Sequence, residues 1–215
     1  ALWMVDLRSF SLTGEVKGHA FDLSLYGFMN GGRVSANVHE HRRARKTDIN
    51  VVVNRSDANI LQLTGISRSA TGTISGEAKL SWDSNAAKGK ELSGNVTLAG
   101  TDLYISDFSL GSMLGIKEKT PLADLYSRAH SAGGRTMLNS SKASIEIKGR
   151  NLGVKAQLGL ITDTLDVELA GSPGSSECHG TVTSGKKGKF LITADEAGKL
   201  FAEPEKKPED TAEKV

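Results

Sequence analysis

A single cysteine, Cys178, stands in the 215 residues, so no intramolecular disulfide can staple the fold, and cysteine pairing is silent about compartment. Long apolar runs are missing as well: nothing approaches the roughly 18 apolar residues of a membrane span, and no complete signal peptide is present. Charge of one sign is scarce. The 27 basic and 25 acidic residues give a formal net charge of +2, which argues against a general polyanion binder. Catalytic signatures are lacking too. Gly185 to Lys189 lacks the GxxxxGK[ST] spacing of a phosphate loop, no GxSxG elbow occurs, and no carboxylate pair can be placed in a cleft. These absences point away from an enzyme, and no catalytic residue or cofactor is assigned.

What the chain does have is glycine, 24 residues against only four prolines, and a dyadic rhythm of apolar side chains between the glycines. In 76–82, Ala78, Leu80 and Trp82 fall on one side and Glu77, Lys79 and Ser81 on the other. The rhythm returns at Ile145 and Ile147, at Val154, Ala156, Leu158 and Leu160, and at Leu165, Val167 and Leu169. Each segment reads as a strand with one dry and one wet face. Repeated this often, the pattern predicts an all-β fold: a mostly antiparallel, curved or partly rolled sheet with one or two short helices. The 38% hydrophobic content allows a core, but a thin one.

Along the chain, 5–16 reads as one strand turning into another at Gly14. Phe21, Leu23 and Leu25 pair through the Asn30-Gly31-Gly32 turn with Val34, Ala36 and Val38. A strand over 47–54 is followed by a short helix capped at Ser56 or Asp57 and running to Gly65. Residues 92–106 read as a strand pair broken near Gly100 to Asp102. A run with Phe108, Leu110, Met113 and Leu114 precedes Pro121, which opens a helix carrying Leu122, Leu125 and Tyr126 across one end of the sheet. Strands resume at Lys142, and a weak last strand holds Phe190, Leu191 and Ile192. Residues 1–200 form the β-rich domain, and 201–215 read as a disordered charged tail.

Two readings of Ala1 to Val5 are open: the tail of a membrane anchor, with Trp3 at the interface, or a buried first strand. His39 and His41, two positions apart, emerge on one strand face as a metal pair requires. No HxxH or CxxC spacing and no third ligand nearby completes the set, so no metal is assigned. Arg42, Arg43, Arg45 and Lys46 put four cations in five residues. That run is read as a solvated hairpin tip, with contact to anionic groups such as lipid head groups as its sharper alternative. No aromatics interleave there for base stacking, which sets nucleic acid aside. The dry face is assigned to Trp82, Leu98, Ile105, Leu158 and Val167, all expected to be buried.

The order of segments carries a resemblance. A short leucine-paired stretch (DANILQLTG, 57–65) is followed by GTISGEAKLSW (72–82), LSGNVTLAGTDLYISDFSLGSMLG (92–115) and IEIKGRNLGVKAQLGLITDTLDVELAGS (145–172). Over about residues 50 to 170 this succession resembles the periplasmic region of type II secretion system protein N, and is similar to the AsmA and TamB group. The first resemblance implies a non-enzymatic, periplasmic component of the protein secretion machinery, held at the inner membrane by an N-terminal helix outside this chain. Other secretion-system or envelope proteins would bind its strand edges and apolar face. The second implies a module that handles phospholipid on that face. AsmA-like proteins are usually far longer, which favours the first; the segment from His39 to Lys46 matches neither.

Overall fold

In the computed structural model, which describes residues 7–58 and 70–205, the alternation becomes one continuous sheet. Its strands are β1 (Leu7–Lys17), β2 (Ala20–Met29), β3 (Gly32–His41), β4 (Lys46–Asp57), β5 (Ala70–Asp83) and β6 (Leu92–Ser106). After α1 (Leu110–Met113), β7 (Thr120–Pro121) and α2 (Leu122–Ser131) come β8 (Arg135–Lys148), β9 (Asn151–Leu160), β10 (Thr164–Gly171), β11 (His179–Ser184), β12 (Gly188–Ala194) and β13 (Leu200–Pro204). Every neighbour is antiparallel, in the order β1-β2-β3-β4-β5-β6-β8-β9-β10-β11-β12-β13-β7. The sheet is open, since β1 does not meet β7 or β13. At about 3.3 Å per residue the fifteen-residue β6 runs about 50 Å.

Local chemistry sets the turns. Asn30 and Gly31 both have positive φ (47° and 77°), the conformation of a two-residue hairpin whose twist matches the strands, and Asn-Gly adopts it at low cost. β1 is a single strand, not two: Gly14 sits mid-strand, and the irregularity falls earlier, at Ser9 (φ 47°), where the register with β2 shifts. β6 is likewise unbroken. Its register slips at Asp102 (φ 49°), and slips of the same kind occur in β4 at Arg55 (φ 52°) and in β8 at Asn139. An extra residue at such a point reverses side-chain alternation. Leu98 and Leu103 therefore share a face although they are an odd number of positions apart. Ser56 and Asp57 belong to β4, Ala58 after them is fully buried, and residues 59–65 of the expected helix lie outside the described residues.

The segment between β6 and β8 leaves the ladder. Ser109 caps α1 by accepting from the Ser112 N–H, and Pro121 precedes α2, where its missing donor costs nothing. Leu122, Leu125 and Ala129 recur at helical spacing on the buried side of α2, which ends with Gly133 in the left-handed region (φ 60°). This segment crosses the apolar face of the later strands and, through β7, pairs with β13 at the far edge. Leu114 packs on Leu165 and Phe190, and Leu125 on Ile192 and Ala202. The expected covering helix is present. Strands the alternation did not reveal are β7, β11 and β13, and β8 begins at Arg135 rather than Lys142. The domain boundary at 200 also moves, because Phe201 and Ala202 lie within β13 and Ala202 is 1% exposed.

Candidate functional site

Cross-strand partners share a face, so the registers can be followed from strand to strand. Leu12 faces Leu25, and the row continues through Ala36, Val51, Ala78, Val96, Ile145, Val154, Leu169, Gly180 and Ile192 to Ala202. No polar side chain interrupts it. Parallel rows beside it include Leu23, Val38, Ile49 and Leu80, and Val53, Leu98, Ala143 and Val167. The result is an apolar band spanning the sheet at right angles to its strands. Over β9 to β13 and at the Ile105 end of β6 the helical segment covers this face; over the rest of β1 to β6 no described element does.

That difference decides where the expected dry-face residues end up. Ile105 is buried (7%) among Phe108 and Ala129, and Leu158 and Val167 are half-buried. Trp82 and Leu98 lie on the same face but are 45% and 44% exposed, so their expected burial is corrected: nothing among the described residues packs over them. At the β1 edge of the described sheet, Phe10, Leu12 and Val16 are 62%, 56% and 62% exposed. The opposite edge is closed by β7 and Pro121, which offers no donor.

The wet face pairs its charges within and between strands. Lys79 meets Glu77 at 2.8 Å, Lys148 meets Glu146 at 2.6 Å, and Lys155 meets Glu168 at 3.3 Å. A depression of about 780 Å³ over β4 to β10 is lined by Glu77, Thr97, Lys142, Lys155, Gln157 and Glu168, among others. Gln157 donates to Asp166 at 3.0 Å. It is a solvated hollow of matched polar groups.

His39 and His41 do come together, Nε2 to Nε2 at 2.8 Å, while His39 Nδ1 contacts the carboxylate of its cross-strand partner Asp22. Asp22 is invisible to sequence reasoning because it sits on another strand. No group of three or more metal-type ligands with suitable geometry occurs among the described residues. Next to this group, the Ser81 hydroxyl first, and then Lys46 at 3.3 Å, hold the Asp48 carboxyl below its usual range. Asp163 is likewise held low, chiefly by the Ser184 hydroxyl and further by the backbone N–H groups of Thr164, Lys186 and Gly185. Cys178 is a free thiol, and the neighbouring His179 turns its Nδ1 to the Glu177 carbonyl at 2.8 Å instead of to sulfur.

Arg42, Arg43 and Arg45 occupy the β3–β4 turn and Lys46 starts β4, all four exposed. Arg42 approaches Glu40 at 3.9 Å. None of the described helices is long and apolar enough to cross a membrane. Compared with family models, curated proteins and solved structures, the chain matches none.

Proposed function

We propose that this chain is a non-enzymatic envelope module that binds by its β1 edge and the apolar band behind it. As the resemblance to type II secretion system protein N implies, it serves the protein secretion machinery from the periplasmic side of the inner membrane. One observation carries this reading: among the described residues the two edges differ, β13 being stopped by β7 while the eleven-residue β1 pairs with β2 alone and exposes Phe10, Leu12 and Val16 on its apolar face. An edge strand of that length supplies backbone donors and acceptors to a partner strand. A photo-crosslinker at Thr13 should join the chain to another secretion component in cells, and Leu12→Lys with Val16→Lys should abolish both the adduct and secretion. Secretion at the parental level in that double variant would refute it.

A second reading, an AsmA-like module for phospholipid, is favoured by the unbroken row from Leu12 to Ala202. Acyl chains laid along it would remove apolar surface from water over β1 to β6, at about 25 cal/mol per Å². Native mass spectrometry separates the two readings. Phospholipid retained by the parental chain and lost in Val51→Asp supports the second; a lipid-free spectrum supports edge binding alone.

A further inference from the structure

The turns joining β1 to β2, β3 to β4, β5 to β6 and β8 to β9 line up along one long edge of the sheet. Backbone and side-chain bonds tie successive tips together. The Arg42 N–H donates to the His19 carbonyl (3.0 Å), and Ser84 N–H to Arg45 (3.0 Å). Asn85 Nδ2 donates to Ala44 (2.7 Å), and Gly149 N–H to Leu92 (2.7 Å). Within these turns stand Arg42, Arg43, Arg45, Lys88, Lys90 and Arg150, all exposed, against the single acid Glu91. Apart from the long approach of Arg42 to Glu40, none of the six makes an ion pair among the described residues. The strand-borne Lys79, Lys148 and Lys155, by contrast, are all paired.

Immediately inside the cations the apolar band begins. Trp82, 45% exposed, is the last apolar residue of β5 and lies between its cross-strand partners Thr47 and Leu92. Cations outermost, then an indole, then aliphatic side chains is the order in which a bilayer presents phosphate, interface and hydrocarbon. We propose that this edge docks on an anionic bilayer surface, its turn cations on lipid phosphates and Trp82 at the interface. A nucleic acid would match the cations but leave the adjoining apolar strip in water. The inference holds whether the band itself takes a protein strand or a lipid, because it concerns the rim and not the band.

Co-sedimentation of the full chain with phosphatidylcholine vesicles, with and without phosphatidylglycerol, tests it. The sequence has two tryptophans, so a Trp3→Phe chain reports Trp82 alone. Binding only to the anionic vesicles, a blue shift of Trp82 emission on binding, and release by salt are the expected results. Neutralising four turn cations (Arg43→Gln, Arg45→Gln, Lys88→Gln, Lys90→Gln) should weaken vesicle binding on the order of 1,000-fold. The Lys88→Gln, Lys90→Gln pair should weaken it by a smaller factor and serves if the fourfold variant does not fold. Equal binding to neutral vesicles, undiminished binding by either variant, an unshifted Trp82, or tighter binding to a single-stranded DNA oligonucleotide than to phosphatidylglycerol vesicles would each overturn it.

Discussion

The first six strands and the last six obey the same alternation, yet the large apolar side chains of the last six are far more completely buried. Leu125, Leu165, Phe190, Ile192 and Ala202 are each 3% exposed or less, whereas on the β1 to β6 side Leu12, Trp82 and Leu98 are 44% exposed or more. The strands themselves do not explain this. A 28-residue excursion between β6 and β8 does, because it folds back over the later strands and the Ile105 end of β6, and no described element reaches Leu12, Trp82 or Leu98. Apolar patterning thus specifies a face, and whether that face becomes core depends on what crosses it.

The comparison can be broken most severely from the covered side. Leu165→Ala removes a side chain 1% exposed beneath Leu114 and Phe190, and should cost about 2–5 kcal/mol in chemical denaturation. Gly94→Ala comes next. Gly94 has φ 149°, and a Cβ there would lie 2.1 Å from the Lys79 carbonyl oxygen, so a loss of about 1–3 kcal/mol is expected although its face is open. A near-neutral result would mean that β5 and β6 are free to part. Leu98→Ala, on the same strand but in the uncovered half, should change stability by less than about 1 kcal/mol. If it matches Leu165→Ala, the two halves are not distinct.

The smallest effect is expected at Asp163. Its carboxyl is held low when folded, so its contribution is present above the ordinary carboxylate range and disappears as pH falls through the depressed value. Asp163→Asn should therefore lower the melting temperature slightly at neutral pH and make no difference in strong acid. A gap between the two chains that persists unchanged in acid would contradict this.

Much of the sheet was legible because alternation is local: Ala78, Leu80 and Trp82 announce their face within seven residues. Burial was not legible. Trp82 and Ile105 look alike in sequence, and only the path of the 107–134 segment separates them. The β1 edge and the stopped edge were equally hidden, since the pairing of Pro121 with Phe201 joins positions far apart in the chain. Short β11, with Gly180 where a larger side chain would strike the Glu168 carbonyl, carries too little alternation to stand out. The basic turn was visible as a run of charge, but Lys88, Lys90 and Arg150 join it only through the order of the strands.

The slip at Asp102 makes the chain sensitive to length where it is tolerant of chemistry. Exchange of that residue for asparagine or glycine leaves the count intact. Losing it would send Leu103 and Ile105 outward into water and bring Tyr104 in beneath α2, so a single missing codon there does more harm than most missense changes in the same strand.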